Sequence, residues 1–458
     1  MNDPVIIQGG MGVAVSNWRL ARAVSQAGQL GVVSGTFLDA VVARRLQDGD
    51  MDGSMRRAFD HFPYQDVAQR IWDRYFVEGG KAPAEAYRPV PMHGASPQTG
   101  LTELTVVANF AEVFLAKEGH NGLVGINYLM KIELPTLPSL YGALLAGVDY
   151  VLMGAGIPRA IPGMLDKLSR HEPVSLKLDV KDAEPGEEFE ITFDPRVFTP
   201  RAAAALVRPK FLPIVSSATL AQSLARKASG TVDGFVVEHH TAGGHNAPPR
   251  GGVTVDEHGE PVYGPKDEFD LEGFRKLGLP FWLAGSCASP EKLKEAQQAG
   301  ARGVQVGSAF AYCRESGIRQ DIKERVIESI LRGQARVFTD PLASASGYPF
   351  KIVAVEGSLS ESDVYETRPR ICDLGYLRTA YRRSDGSVGF RCPAEPVEDY
   401  VRKGGRAEDV VGKKCLCNGL MSTVGYPQIQ KHGYLEPPLI TAGKDLSVIA
   451  RLVAPGET

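Results

Sequence analysis

One phrase recurs along the chain: a helix that ends in a small residue and glycine, a short β-branched run, and another glycine. It stands as QAGQLGVVSG, LAGVDYVLMG and QAGARGVQVG. Glycine ends such helices in the left-handed conformation, and continuous Val-rich runs are typical of parallel strands covered on both faces. The phrase therefore predicts alternating helices and parallel strands.

The repeat predicts eight strands. They are Val5–Gln8, Gly31–Ser34, Gly122–Ile126, Tyr150–Met153, Phe211–Val215, Gly234–Glu238, Phe281–Ala284 and Gly303–Val306. Eight strand–helix units favour the α/β class and a (β/α)8 TIM barrel. A doubly wound open sheet is the structural alternative.

Three insertions and a C-terminal extension interrupt the rhythm. Residues 38–118 are expected to be mostly helical, residues 172–205 to form a β-hairpin, and residues 246–270 to form a hairpin that covers the site as a lid. We place the barrel domain at residues 1–335. Residues 336–458 lack the repeat and are expected to wrap the barrel, with a small appended domain as the alternative.

Charge and hydropathy limit the classes of binding partner that the sequence favours. The net charge of −3 and the absence of a basic stripe tell against nucleic acid. We find no apolar run long enough to span a bilayer, and the first residues, MNDPVIIQGG, lack a basic region followed by an apolar one. A cytoplasmic protein without a membrane partner is therefore expected.

The cysteines are unevenly placed. Of six, four crowd the end of the chain: Cys372, Cys392, Cys415 and Cys417. Reduced thiols are expected in a cytosolic protein, and a structural metal site is the alternative. One residue separates Cys415 from Cys417, whereas zinc ligands more often leave two or more between them. We assign no metal ligand from the sequence.

Two glycine–serine pairs predict an anion site. Gly285-Ser286 follows the seventh strand and Gly307-Ser308 follows the eighth, where barrels commonly bind phosphate. Glycine lets backbone N–H groups approach an anion closely. QGGMGV near the start is a poor dinucleotide fingerprint because the third glycine and the ribose-binding acid are absent, so we interpret it as a glycine turn at the barrel mouth.

Five motifs follow one another in order: PVIIQGGMG, VGINYLM, TAGGHNA, AGSCAS and VQVGSAF. Together they resemble the nitronate monooxygenase family, also called 2-nitropropane dioxygenases, over about residues 4–315 without the insertions. That family is FMN-dependent and has a TIM-barrel core. Flavin-dependent enoyl-acyl-carrier-protein reductases share the same motifs.

The resemblance implies a role for particular residues. His245 matches the proton-transfer residue. The implied FMN contacts are Gly9, Gly10, Met11, Asn127, Gly243, Gly244, Gly285, Ser286, Gly307 and Ser308. One departure stands out: the family often carries a flavin-contacting lysine at the end of the fifth strand, where this chain has Ile214 or Val215.

His245 suits acid–base chemistry because imidazole titrates near neutral pH. A metal site on His239, His240 and His245 is disfavoured, because Glu238 alone would complete it. Arg250 is either an anion contact or a surface residue. The leading hypothesis is oxidation of alkyl nitronates with O2 to a carbonyl compound and nitrite.

Two other functions stay open from the sequence. One is an enoyl-acyl-carrier-protein reductase that uses NAD(P)H and FMN. The other is a catalytically silent flavin-binding partner subunit. The expected partners are accordingly a small molecule or an acyl thioester, with a homodimer as one further expectation.

Overall fold

The structure is a computed structural model that describes residues 3–198 and 204–453. The described strands are β1 (Ile6–Gln8), β2 (Gly31–Ser34), β3 (Val124–Leu129), β4 (Tyr150–Gly154), β5 (Val174–Lys177), β6 (Val180–Lys181), β7 (Glu190–Phe193), β8 (Lys210–Val215), β9 (Phe235–Glu238), β10 (Phe281–Ala284), β11 (Gly303–Val306), β12 (Val337–Asp340), β13 (Phe350–Val353), β14 (Thr379–Arg382) and β15 (Val388–Arg391).

Helices lie between most of the strands. They are α1 (Trp18–Gln26), α2 (Leu38–Gln47), α3 (Ser54–Asp60), α4 (Gln65–Tyr75), α5 (Thr99–Lys117), α6 (Thr136–Leu145), α7 (Ile161–Ser169), α8 (Ala218–Lys227), α9 (Leu271–Lys276), α10 (Pro290–Gln298), α11 (Ser308–Ala311), α12 (Gln320–Leu331), α13 (Ser362–Thr367), α14 (Val397–Arg402), α15 (Leu416–Thr423) and α16 (Ser447–Ala450).

Eight strands form one parallel sheet in the order β1-β11-β10-β9-β8-β4-β3-β2. A parallel bridge between Ile7 and Leu30 joins the first strand to the start of the last and closes the ring. The predicted (β/α)8 barrel is confirmed, and the open doubly wound sheet is excluded by this closure. All eight strands therefore end at the same mouth.

Side chains fill the barrel interior. Leu152, Leu212, Val236 and Trp282 belong to one buried cluster inside the ring, and the Trp282 indole donates a 2.8 Å hydrogen bond to the Pro4 carbonyl at the closed end. A larger cluster lies between the strands and the surrounding helices. The interior is thus a packed core, and free volume is left at the mouth.

The first insertion is helical, as predicted, and holds α2 to α5. By length and composition α5 could cross a membrane, although the sequence predicts no such span. In this fold 72% of its apolar stretch is buried. The buried Glu112 of α5 forms an ion pair with Arg45 of α2, with 2.6 Å between Oε2 and Nη1. In this structure α5 is a core helix between the barrel and the other inserted helices.

The first predicted hairpin forms a pair of strands, and the second forms only a single bridge. β5 and β7 pair antiparallel as expected, while residues 199–203 of that insertion lie outside the described residues. In the lid, a single bridge joins Val255 to Pro261 and no strands form. Pro261 has no N–H to donate, which limits the ladder at that point.

The C-terminal segment packs on the barrel mouth. Its β12 and β13 pair antiparallel, and its β14 pairs with β6 of the second insertion. Residues from both parts, including Val13, Val41, Met421 and Ile440, share one buried cluster. The boundary at residue 335 stays a prediction, but the two parts share their apolar contacts.

Candidate active site

A cavity of about 480 Å³ opens at the barrel mouth, within the usual size of small-molecule and cofactor sites. The predicted catalytic residue and all the predicted FMN contacts line it: Gly9, Gly10, Met11, Asn127, Gly243, Gly244, His245, Gly285, Ser286, Gly307 and Ser308. The structure thus brings five distant motifs to one wall. Their roles stay predictions.

The first glycine turn packs tightly against Asn127. A Cβ on Gly10 would lie 2.3 Å from the Asn127 Cβ, so no other residue fits there without movement. The Ser16 hydroxyl fixes the turn by donating to the Gly9 carbonyl at 2.8 Å and accepting from Met11 N–H at 2.8 Å. The turn is therefore held in place at the cavity wall.

Two polar side chains in this wall are left available for a ligand. The Asn127 side-chain amide forms no hydrogen bond with the described residues, although the side chain is largely buried. The Gln305 Oε1 of β11 is buried without a partner. A buried unpaired acceptor is costly unless a ligand or water satisfies it. Gln305 was not singled out from the sequence because it stands inside an ordinary strand motif.

The two glycine–serine bends meet at one end of the cavity. Gly285 has φ 110° and Ser286 has φ 53°, both in the left-handed region. A Cβ on Gly285 would lie 2.8 Å from the Thr241 Oγ1, so glycine is required for packing as well. The Ser308 hydroxyl accepts a 2.7 Å hydrogen bond from Gly443 N–H of the C-terminal segment. That segment therefore forms part of the same cradle.

The described lining of the cavity includes neither lysine nor arginine. An anion at the glycine–serine bends would be held by backbone N–H groups and hydroxyls rather than by a cation. Ile214, Val215 and Ser216 line the cavity where the family lysine was sought. None of these three side chains carries a charge, in agreement with the departure that the sequence shows at this position.

His245 lies between the barrel and the C-terminal segment. Its Nε2 shares a 2.7 Å hydrogen bond with the Ser344 Oγ, which in turn lies 2.7 Å from the Ser346 Oγ. The ring meets Phe350 edge-on at 4.8 Å. Burial, followed by the nearby Lys131 cation, lowers the pKa of His245 to about 3. The imidazole is therefore neutral at working pH.

Lys131 is the cation that contributes to the low pKa of His245. Its Nζ lies 2.9 Å from the ring centroid of Tyr348, which lines the cavity, and donates to the Ser346 carbonyl at 3.3 Å. Burial lowers the pKa of Lys131 to about 7. A bound anion would restore the charged form, because an opposite charge offsets the cost of burial.

Lys351 and Glu238 adjoin the loop that carries the histidines. Lys351 of β13 is fully buried and donates to the His240 carbonyl and the Asn246 Oδ1. Glu238, at the end of β9, lines the cavity. Burial raises the pKa of Glu238 and lowers that of Lys351, and each charge offsets part of the other's shift. No motif pointed to Lys351.

The other histidines of the loop lie apart from His245. Ligand atoms of His239, His240 and Glu268 lie within 4.8 Å of one another, so the acid nearest to them is Glu268 and not Glu238. Arg250 donates to the carbonyls of Ser216 and Lys266. Arg250 is exposed, as the second of its two expected roles has it, and its two hydrogen bonds tie the lid to the barrel.

No family model matches the chain, and no curated protein matches it. Among solved structures it is similar to FabK from Thermotoga maritima, at 17% identity and a TM-score of 0.41 over 80% of this chain and 74% of that one. It is also similar to nitroalkane oxidase from Streptomyces ansochromogenes, at 14% identity and a TM-score of 0.37 over 77% of each. A third is the enoyl reductase domain of MlnA from Bacillus amyloliquefaciens, at 11% identity and 0.37 over 79% of this chain and 66% of that one.

These proteins are of the kinds that the sequence motifs resemble. The barrel of this chain is established by its own strand order and closure. At these identities the likeness leaves its activity open.

Proposed function

We propose that the protein is an FMN-dependent oxidoreductase that oxidises alkyl nitronates with O2 to a carbonyl compound and nitrite. The observation that supports this most is the convergence of all the motif residues on one cavity beside a neutral, buried imidazole. Barrel enzymes place their reacting groups at this mouth.

The residues present fit FMN. The Ser286 and Gly307 backbone N–H groups donate to no other described residue, and with the Ser308 hydroxyl they suit a phosphate. The Gly9–Gly10 turn offers backbone to a planar ring, and the unpaired Gln305 Oε1 and Asn127 amide suit ring N–H and carbonyl groups. When bound, FMN would supply the redox chemistry, since this chain's own side chains do not.

The protein's own groups would bind and orient an anionic substrate. A nitronate carries a negative charge, and Lys131 behind Tyr348 is a cation whose charge such an anion would stabilise. Neutral His245, held by Ser344, offers one ring nitrogen as a hydrogen-bond donor and the other as an acceptor, and so can orient the substrate. Lid residues Ala247 and Pro248 line the cavity and would limit water.

One observation favours a second candidate function, the reduction of an enoyl thioester with NAD(P)H. Part of the cavity wall is apolar and built by Phe37, Ile132, Leu377 and Leu420. Such a wall suits an acyl chain better than a small nitronate. In this case the neutral His245 would have to take up a proton in the complex before it could deliver one to the substrate.

The two functions separate in one set of assays. The purified protein, loaded with FMN, is tested for O2 uptake and nitrite with propionate 3-nitronate, and for anaerobic flavin bleaching with NADH or NADPH. Nitrite without bleaching supports nitronate oxidation. Bleaching that an enoyl thioester reverses, without nitrite, supports the reductase.

The role of His245 is tested with a matched pair of variants. His245→Gln should lower turnover by about 10²–10⁴-fold while FMN content is kept. His258→Gln changes an exposed histidine of the lid, 75% exposed at the side chain, and should leave turnover unchanged. Equal turnover in both variants would remove His245 from the mechanism, and a protein that stays colourless with added FMN would refute the cofactor.

A further inference from the structure

The four late cysteines come together in the fold. Cys372 precedes β14, Cys392 directly follows β15, and Cys415 and Cys417 stand at the start of α15. The β14–β15 hairpin brings the first two together, and all four line one small void of about 10 Å³. All are free thiols, and three of them are buried.

The walls of this void suit negative sulfur. Arg378 and Lys414 also line it. Two cations beside four sulfurs would offset part of the negative charge of thiolate ligands.

Hydrogen bonds that do not involve sulfur fix the three segments. The Asn418 side chain of α15 donates to the Asp373 Oδ1 beside Cys372 at 2.7 Å. Arg370 donates to the Pro393 carbonyl beside Cys392 at 3.0 Å. The cysteines are thus held in place by their neighbours, as ligands of a metal centre commonly are.

The spacing distinguishes between metal centres. Four sulfurs bonded to one zinc ion at ~2.3 Å would lie about 3.8 Å apart in a tetrahedron. No three of these four sulfurs lie within 4.8 Å of one another in the described ranges. The void also has room for roughly one water-sized sphere. Four sulfurs closed around a zinc ion would leave no such room. Four thiolates bound to different irons accept this wider arrangement.

We propose that Cys372, Cys392, Cys415 and Cys417 bind an iron–sulfur cluster. The site lies one side-chain layer from the barrel mouth, because Leu377 and Leu416 line both the void and the larger cavity. The cluster would hold the β14–β15 hairpin and α15 together against that wall. It is separate from the predicted FMN contacts.

The proposal is tested on the full chain, purified without oxygen or reconstituted anaerobically with ferrous iron and sulfide. Iron, acid-labile sulfide, zinc and FMN are counted on the same sample. We expect about two to four irons with equal sulfide per chain, the range for clusters held by four cysteine thiolates, and an electron paramagnetic resonance signal in one of the oxidation states reached with dithionite or ferricyanide. Stoichiometric zinc without iron, or metal-free protein with all thiols titratable, would overturn it.

Variants locate the cluster. Cys372→Ser and Cys417→Ser should each lower bound iron at least tenfold, and Cys313→Ser, which changes a cysteine outside the void, should keep it. If the first two variants do not fold, the wild-type iron and sulfide count alone decides the proposal. Because FMN is counted separately, a cluster without flavin would refute the proposed function and leave this inference standing.

Discussion

Replacing His245 with glutamine should make the protein less sensitive to acid. In the fold the pKa of His245 falls to about 3, whereas in the unfolded chain it is about 6.5. Between these values the unfolded chain binds a proton that the native protein does not, so stability falls as the pH falls. His258, on the exposed lid, serves as the control.

The size of the effect follows from the two pKa values. One unit corresponds to about 1.36 kcal/mol, and integrating the linkage from pH 8 to pH 5 makes the His245 contribution about 2 kcal/mol. His245→Gln should therefore lose about 2 kcal/mol less free energy of unfolding over that interval than the wild type or His258→Gln. Urea unfolding at both pH values measures this difference.

A second readout reports on the ring itself. In protein with isotope-labelled histidine, the resonance that is missing from His245→Gln should not titrate between pH 8 and pH 5. An identical pH dependence of stability in all three proteins, together with a His245 resonance that titrates near pH 6.5, would refute the burial and Lys131 argument.

Three further substitutions probe the site and its support. Gly10→Ala places a methyl group against Asn127 and should weaken FMN binding at least tenfold, as measured by fluorescence titration. Lys351→Met leaves the His240 carbonyl and the buried Asn246 Oδ1 without their donor and should cost about 1–3 kcal/mol in urea unfolding. Tyr128→Phe removes a single buried O–H donor, which lies within reach of the Asn109 Oδ1 and the Ser139 carbonyl, and should cost about 1–3 kcal/mol without changing turnover; a loss of turnover would place Tyr128 in the site.

The barrel could be predicted because its strands are continuous apolar runs between glycines. Gly31–Ser34, Phe281–Ala284 and Gly303–Val306 begin and end where the pattern placed them. The third strand is shifted, from a predicted start at Gly122 to Val124–Leu129. Gly122 is needed for close packing, since a Cβ there would lie 2.4 Å from the Ser25 carbonyl oxygen. Local pattern does not separate these two uses of glycine.

The lining of the cavity could be predicted only where a motif stands at a strand end. Ser344 lies 99 positions from His245, and the two meet through a pairing of His245 with Phe350. Neither Ser344 nor Lys351 belongs to a motif, and the segment around them has little regular structure. Contacts of this separation depend on the path of the C-terminal segment, which sequence periodicity does not determine.

That segment contributes to the surroundings of His245 as well as to the packing. The barrel supplies His245 and the glycine bends, while Ser344, Phe350 and Gly443 approach from the other side. The low pKa of His245 depends on burial, and Ser344 and Phe350 of the C-terminal segment contact the ring. The imidazole therefore has its low pKa only when both parts of the chain are folded together, so the candidate acid–base group lies at their interface rather than in the barrel alone.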